Sequence, residues 1–277
     1  MRNVEEAVVV VTGSTDGLGK RVAQDLAQKG ATVLLHGRDP ERGEAVAREI
    51  REGTGNDDLR YYLADFSSLE QTRRLAEEIR ADRDRLDVLI NNAGVFAGER
   101  TVSEDGYELT LAVNYLAPFL LTHLLLPLLR ASAPARIVNV ASAGQSSIDF
   151  DDPMLERRYD GMRAYARSKL ALVMFTFDLA EELEGTGVNA NCLHPATLMD
   201  TKMVFEAFGR ASSDVQEGAD ATVYLASSPE LEGVTGKYFD GRREARAEKQ
   251  AYDPEARDRL RRLSEELTGL RVSGANP

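Results

Sequence analysis

Short apolar runs alternate with longer amphipathic stretches along most of the chain. The first run, Val8–Val11, is four consecutive valines, a pattern typical of a strand that is buried on both faces of a parallel sheet. Six further runs have a similar length and apolar character. Together they predict seven strands, at residues 8–11, 32–36, 59–64, 86–90, 136–140, 188–193 and 237–239.

The stretches between the apolar runs have the spacing of helices with one apolar face. One begins with Asp39-Pro40, a helix-capping residue followed by a proline suited to the first turn. The predicted helices cover residues 18–29, 39–52, 69–80, 106–129, 162–184, 213–226 and 253–268. This alternation predicts an α/β fold, a doubly wound parallel sheet of about seven strands with helices on both faces. No linker or repeat interrupts it, so we expect residues 1–277 to form a single domain.

Charge and cysteine content narrow the functional classes. Acidic residues outnumber basic ones by 46 to 34, a net charge of −12, which opposes binding to nucleic acid or to an anionic membrane. The single cysteine, Cys192, suits a reducing compartment. The apolar stretch 109–129 is long enough to span a membrane but contains Asn114 and His123, so we expect a buried helix. We expect a cytoplasmic protein with no membrane anchor that acts on a small molecule, with a homo-oligomer left open.

A glycine-rich turn follows the first predicted strand. Gly13, Gly17 and Gly19 lie between that strand and the next helix, with the spacing G-x-x-x-G-x-G. Glycine allows close approach of the backbone to a phosphate, and the N-terminus of a helix attracts the anion. A strand-to-helix turn without a ligand can carry the same glycines, so the turn alone leaves both interpretations open.

Polar or small residues follow each of the first six predicted strands. In a doubly wound sheet, ligands bind beyond the carboxyl ends of the strands, and a purely structural sheet needs no such residues there. After the glycine turn, these ends are Gly37-Arg38-Asp39, Asp65-Phe66, Asn91-Asn92-Ala93-Gly94, Ala141-Ser142 and His194-Pro195-Ala196-Thr197.

A tyrosine and a lysine lie four residues apart in a predicted helix. Tyr165 and Lys169 fall on one face of a predicted helix, so the phenol and the ammonium point into the same space. A nearby ammonium favours the phenolate and prepares the phenol to exchange a proton. Ser142 can bond the same substrate oxygen. An isolated Tyr-x-x-x-Lys is far more often a solvated helix face, and the histidines His36, His123 and His194 lack metal spacing, so we expect no metal.

The order and spacing of these motifs resemble the short-chain dehydrogenase/reductase family. The resemblance runs from about Val8 to Phe239 and rests on the glycine turn, Asn91-Asn92-Ala93-Gly94, Asn114, Ser142 and Tyr165-x-x-x-Lys169. Further details are similar to the retinol dehydrogenase branch, among them Arg38-Asp39, His194-Pro195 and Gly236-Lys237-Tyr238-Phe239. The resemblance implies a Rossmann domain and an NAD(P)(H)-dependent interconversion of alcohol and carbonyl.

The resemblance also implies roles for individual residues. Tyr165 would be the general acid/base, Lys169 would lower its pKa and hold the nicotinamide ribose, and Ser142 would polarise the carbonyl oxygen. Asn114 would anchor a water in the proton relay. The implied cofactor-binding residues, besides Tyr165 and Lys169, are Gly13, Ser14, Thr15, Asp16, Gly17, Leu18, Gly19, Arg38, Asp65, Phe66, Asn92, Ala93, Gly94, Pro195 and Thr197.

The chain departs from the family pattern in two features that bear on the substrate. The usual Pro-Gly after the sixth strand is Pro195-Ala196 here. Many members of the retinol branch carry an N-terminal membrane anchor, and we expect none in this chain. Residues 196–212 resemble a substrate loop whose Met199, Phe205 and Phe208 favour a hydrophobic substrate, although packing on the core explains them equally well.

The residues after the second strand favour NADP over NAD. An acidic residue there binds the ribose 2′-hydroxyl of NAD, whereas an arginine accommodates the 2′-phosphate of NADP. Here the acidic position is Gly37, Arg38 follows, and Arg42 lies one helical turn further on, while Asp39 fits a helix cap. Asp16 argues the other way, because some NADP-using relatives carry a basic residue in the glycine turn.

Two other interpretations remain open. A catalytically silent nucleotide-binding regulator of the same fold would be expected to lack part of the set Ser142, Tyr165 and Lys169, and none is missing. A dehydratase or epimerase of the same superfamily usually carries a larger C-terminal substrate domain. The sequence does not name the substrate.

Overall fold

A computed structural model describes residues 3–272, so residues 1, 2 and 273–277 of the predicted domain lie outside it. Within the described part, eight strands form one sheet. The strands are β1 Val8–Val11, β2 Thr32–Gly37, β3 Leu59–Leu63, β4 Val88–Asn91, β5 Ala135–Val140, β6 Val188–His194, β7 Lys237–Asp240 and β8 Arg243–Ala245. Their order is β3-β2-β1-β4-β5-β6-β7-β8. The predicted parallel sheet is confirmed for β1 to β7, and β8 adds an antiparallel edge that the sequence did not predict.

Helices connect the strands and cover both faces of the sheet. They are α1 Gly17–Gln28, α2 Pro40–Thr54, α3 Leu69–Asp82, α4 Leu109–Ala131, α5 Gly161–Glu182, α6 Lys202–Phe208, α7 Val215–Ser227 and α8 Pro254–Thr268. A hydrophobic core lies on each face of the sheet, and successive side chains of β1 point into different cores. Val9 lies in the core with α1, α2 and α7, whereas Val10 lies in the core with α3, α4, α5 and α8. This is the doubly wound arrangement expected from the sequence.

The strand order reverses at β1, which pairs in parallel with β2 on one side and with β4 on the other. In such folds the crevice at this reversal, beyond the carboxyl ends of the strands, is where ligands bind. The glycine turn, the residues after β4 and the residues after β5 all meet there.

Helix α4 is the most apolar helix of the described chain. By length and composition alone it could cross a membrane, but 83% of its most apolar window is buried inside the fold. It therefore serves as a core helix here, as expected. That the chain has no membrane anchor stays a prediction.

Candidate active site

The glycine turn after β1 packs against the segment that follows β4. A Cβ atom on Gly13 would lie 2.8 Å from the Cα of Ala93, and one on Gly19 would overlap the Gly13 carbonyl oxygen. Gly13 and Gly17 also have φ values of +63° and +48°, which side chains disfavour. Glycine is therefore required where the turn packs on itself and on the segment after β4.

Hydrogen bonds to Thr12 fix the residues after β4. Its hydroxyl oxygen accepts from the main-chain N–H groups of Asn92 (2.9 Å) and Ala93 (3.0 Å). The Asn92 side chain donates back to the Thr12 carbonyl oxygen at 2.8 Å. The predicted sites at residues 13–19 and 92–94 are therefore one structural unit.

A buried histidine lies beneath this unit. The Gly13 N–H donates to Nδ1 of His36 at 3.1 Å, and Nε2 of the same ring bonds the Ala64 carbonyl oxygen at 3.1 Å. The ring stacks on Phe66 with centroids 4.2 Å apart. Burial lowers the His36 pKa to about 4, so the ring is neutral at pH 7. The sequence analysis noted only that His36 lacks the spacing of a metal ligand, and it did not predict this structural role.

Helix α5 brings the tyrosine and lysine together as its periodicity predicts. The Lys169 Nζ atom lies 5.6 Å from the centroid of the Tyr165 ring. The Tyr165 hydroxyl shares a hydrogen bond with the Ser142 side chain. Because Ser142 Oγ also accepts from the Gly144 N–H at 3.0 Å, its own hydrogen is free to point at Tyr165 or at a substrate oxygen.

Burial shifts the pKa of both groups. It raises the pKa of Tyr165, and the hydrogen bond with Ser142 opposes that rise. It lowers the pKa of Lys169 to about 8. The Lys169 ammonium donates to the Val140 carbonyl oxygen at 2.9 Å. The lowering of the Tyr165 pKa that we expect from Lys169 stays a prediction.

Asn114 lies in a π turn, Ala112–Leu116, that interrupts α4. Such turns are frequent at functional sites because they redirect a side chain. The Asn114 amide donates to the Val95 carbonyl oxygen and to Ser168 Oγ, both at 3.0 Å, and its Oδ1 accepts from the Val95 N–H at 2.7 Å. A Cβ atom on Gly94 would lie 3.4 Å from Asn114 Oδ1 and 3.5 Å from Lys169 Nζ. The side chains of Asn114 and Lys169 therefore both lie next to Gly94.

Some predicted cofactor-binding side chains serve the fold instead. Ser14 Oγ accepts from the His36 N–H at 2.9 Å, and Leu18 and Phe66 are buried in the core. The Asp65 carboxylate accepts from the Ser67 N–H at 2.9 Å. The side chains of Ser14, Leu18 and Phe66 are therefore not exposed to a ligand.

Two side chains, those of Gln145 and Tyr238, donate hydrogen bonds to the main chain of Ser142. Neither bond was predicted from the sequence. The Gln145 amide donates to the Ser142 carbonyl oxygen at 2.8 Å, and its oxygen accepts from the Glu248 N–H at 2.9 Å. The Tyr238 hydroxyl donates to the same Ser142 oxygen at 3.2 Å. The segment after β8 therefore fixes the loop after β5. A glutamine in a polar loop carries no periodic signal.

The predicted substrate loop, residues 196–212, crosses the mouth of the crevice. It includes α6, whose cap Thr201 would lie 3.1 Å from a Cβ atom on Gly17. At the other end of α6, the Phe208 ring lies 6.2 Å from Phe96, which lies 6.1 Å from Tyr165. Pro195 is buried at the start of the loop, and Thr197 Oγ1 bonds His194 Nε2 at 3.0 Å.

The crevice suits a nicotinamide dinucleotide. The turn at Gly13 and Gly19 leaves no room for side chains and presents main chain to a pyrophosphate. The Lys169 ammonium has three N–H donors and, among residues 3–272, one acceptor, the Val140 carbonyl oxygen, so it can also bond ribose hydroxyls. Gly94 leaves space beside it. Residues 12–19, 92–94 and 169 would hold the dinucleotide.

A doubly wound sheet with this glycine turn and Tyr–Lys pair defines a class, the NAD(P)-dependent oxidoreductases with a Rossmann fold. A family model described as short chain dehydrogenase matches residues 7–210. Retinol dehydrogenase 13 from Mus musculus is 39% identical, covering 97% of this chain and 86% of its own. The chain belongs to the short chain dehydrogenase family and is similar to its retinol dehydrogenase branch. The predicted family and enzyme class are confirmed.

Two solved structures extend the comparison. An uncharacterized protein from Mycobacterium paratuberculosis has a TM-score of 0.80 and 32% identity, over 96% of this chain and 94% of its own. The RhlG/NADP active-site complex from Pseudomonas aeruginosa has a TM-score of 0.69 and 30% identity, over 87% of this chain and 97% of its own. A nicotinamide cofactor is therefore established for the class.

Proposed function

We propose that the protein interconverts an alcohol and a carbonyl group on a small or hydrophobic substrate and prefers NADP(H) to NAD(H). The observation that carries this proposal is the convergence of Ser142, Tyr165 and Lys169 beside Gly94 at the carboxyl edge of the sheet. A silent regulator of the same fold has no need for this complete set.

A bound nicotinamide would supply the hydride for reduction and accept it in oxidation. In the reducing direction, Ser142 would hold the carbonyl oxygen, and Tyr165 would transfer its phenolic proton to that oxygen. Lys169 stabilises the resulting phenolate by its charge. Asn114 Oδ1 keeps one free lone pair after accepting from Val95, which suits a water that returns the proton.

The substrate body would lie against aromatic rings. Phe96 and Phe208 form a tilted pair next to Tyr165, and Phe205 on the same helix is 51% exposed. Exposed aromatic residues at a crevice favour apolar ligands. This supports a hydrophobic alcohol or carbonyl, and the retinol dehydrogenase relatives agree with that class.

Purified protein should oxidise NADPH in the presence of some aldehydes or ketones and reduce NADP⁺ with some secondary or allylic alcohols, followed by nicotinamide absorbance. Cofactor binding without turnover across such a panel would favour the silent regulator instead. We also propose a cytoplasmic location, supported by the acidic charge and the single buried cysteine, Cys192.

A further inference from the structure

Two neighbouring residues of the π turn in α4 are each tied to another part of the fold. A π turn carries one extra residue within an α-helix, so the regular hydrogen bonding of the helix is interrupted there. The Asn114 side chain bonds Val95 and Ser168 at the crevice. The next residue, Tyr115, is buried in the core and reaches the C-terminal helix α8.

The contact between Tyr115 and α8 is a short hydrogen bond in a dry environment. The Tyr115 hydroxyl lies 2.6 Å from Ser264 Oγ, and the two residues are 1% and 0% exposed. The Ser264 hydroxyl donates its single hydrogen to the Leu260 carbonyl oxygen at 2.7 Å, so the phenol donates to Ser264. The Tyr115 ring also lies beside Phe119 and Phe175, with centroids 6.2 and 6.4 Å away. Ring contacts and hydrogen bond together fix the direction of this side chain.

Helix α8 is itself fastened near both ends. Close to its start, Arg257 Nη1 lies 3.3 Å from Asp178 Oδ1 on α5. At its end, the Leu267 carbonyl oxygen accepts from the hydroxyl of Tyr107, two residues before α4, at 2.8 Å. Ser264 lies between these two contacts, so its hydroxyl oxygen is an acceptor at a fixed place.

We propose that Tyr115 and Ser264 are positioning residues, whose hydrogen bond ties the π turn to α8 and thereby keeps Asn114 in place beside Lys169. The inference rests on the proposed function, in which Asn114 holds the water of a proton relay. It makes the C-terminal helix part of the support of that relay. Tyr115 and Ser264 act from the core, since neither is exposed to a ligand.

A movement of the π turn would reach Asn114 directly, because Tyr115 is its neighbour in the chain. The Asn114 side chain makes bonds of 2.7 Å to the Val95 N–H and 3.0 Å to Ser168 Oγ. Groups at an active site have to be held within about 0.5 Å of the productive geometry by neighbours that packing and hydrogen bonds lock. The buried pair of Tyr115 and Ser264 meets that requirement.

The first test uses amide hydrogen exchange and needs no substrate. The Val95 N–H donates to Asn114 Oδ1, so its exchange rate reports whether Asn114 stays in place. In Tyr115→Phe, the Val95 amide should exchange about threefold to tenfold faster than in wild type, the effect of one lost hydrogen bond. The Val8 N–H, which donates to the buried Asp87 carboxylate at 2.8 Å, is the internal reference and should change less.

Tyr62→Phe is the matched control for this measurement. Tyr62 is also a buried tyrosine, 3% exposed, and its hydroxyl bonds Asp82 on α3 instead of α8. Its loss should leave the ratio of the Val95 and Val8 exchange rates as in wild type, because a global loss of stability affects both amides alike. The same unchanged ratio in Tyr115→Phe would overturn the inference.

The second test measures turnover with a substrate found on the panel of aldehydes, ketones and alcohols. Tyr115→Phe and Ser264→Ala should each lower kcat by about threefold to tenfold and leave the Kd for NADPH within about twofold. The double variant should be no slower than either single variant, because both changes remove the same bond. In an Asn114→Ala background, neither change should lower kcat further. A loss that persists in full without the Asn114 side chain would mean that the pair acts by another route.

The two tests also separate this inference from the proposed function. If wild type turns over no substrate on the panel, the proposed function fails, and the Val95 exchange rate still decides whether the bond between Tyr115 and Ser264 holds Asn114. If wild type turns over a substrate and Tyr115→Phe keeps the wild-type kcat, the proposed function stands and the positioning role is rejected.

Discussion

The main-chain N–H of Gly13 donates to Nδ1 of His36 at 3.1 Å. This bond requires a neutral imidazole with its proton on Nε2, and the Ala64 carbonyl oxygen accepts from that side. A single ring therefore joins the glycine turn to the end of β3. Protonation at Nδ1 would remove the acceptor that holds the turn.

The first prediction concerns stability at acid pH. His36 has a pKa of about 4 in the fold, against 6.5 for an ordinary histidine, so the unfolded chain binds the proton more readily. The stabilisation from neutral His36 is complete above pH 6.5 and is lost as the pH falls from 6.5 to 4. The loss amounts to about 3 kcal/mol, since one pKa unit corresponds to about 1.4 kcal/mol.

Urea unfolding of wild type and His36→Asn between pH 7 and pH 4.5 tests this. Asparagine retains an acceptor but does not titrate, so the stability difference between the two proteins should shrink as the pH falls. Because both proteins retain His194 and all carboxylates, their other titrations cancel. A difference that is constant with pH would contradict the assigned pKa.

Tyr165→Phe tests the proposed general acid. We expect kcat to fall by about 10²- to 10⁴-fold, the usual contribution of a positioned proton donor. The Kd for NADPH should stay nearly unchanged. Tyr224→Phe is a suitable control, because that hydroxyl bonds Glu230 on the surface. A Tyr165→Phe protein that keeps more than about a tenth of wild-type kcat would exclude the assignment.

Lys169→Ala should differ from Tyr165→Phe in its effect on binding. The ammonium is placed to bond ribose hydroxyls, so its removal should weaken NADPH binding as well as slow turnover. Titration calorimetry on both variants makes the comparison direct. An unchanged Kd in Lys169→Ala would mean that the lysine does not contact the ribose.

The same lysine allows a prediction about stability. Burial holds the Lys169 pKa near 8 rather than 10.5, so the fold disfavours the ammonium at neutral pH. Lys169→Met should therefore stabilise the protein at pH 7 by about 1–2 kcal/mol, the relief of that penalty less the lost bond to Val140. Wild-type stability should also rise between pH 8 and 10.5, where the unfolded chain holds the extra proton, and the variant should lack this rise. A lower Tm for Lys169→Met at pH 7 would refute the argument.

The sequence predicted the first seven strands because each contains apolar residues that the fold buries. It missed β8, which is short, charged and formed only by pairing with β7. The long helix was predicted to start at residue 106 but begins at Leu109, because the Glu108 carboxylate accepts from the N–H groups of Thr110 and Leu111. The π turn at Asn114 has no signature in the apolar pattern, since all five of its residues are buried.

The candidate site could be predicted where a residue follows a strand or shares a helix face with another. That rule placed Ser142, Tyr165 and Lys169 together. It failed for His36 and Gln145, whose roles depend on which atoms face them. His36 bonds Ala64 and Gln145 bonds Glu248, residues far away in the chain, and a single sequence holds no record of such pairs.

The final prediction tests the proposed cofactor through Arg38. A charge-assisted contact to the 2′-phosphate contributes about 1.5–3 kcal/mol, so wild type should prefer NADPH to NADH by about one to two decades in kcat/KM. Arg38→Asp should reverse the preference, because a carboxylate repels the phosphate and accepts from the 2′-hydroxyl of NADH. Arg48→Asp makes the same charge change at an exposed position of α2 and should not alter the preference. If wild type binds NADH more tightly, Arg38 makes no phosphate contact, and Asp39 would have to act as a ribose ligand in addition to capping α2.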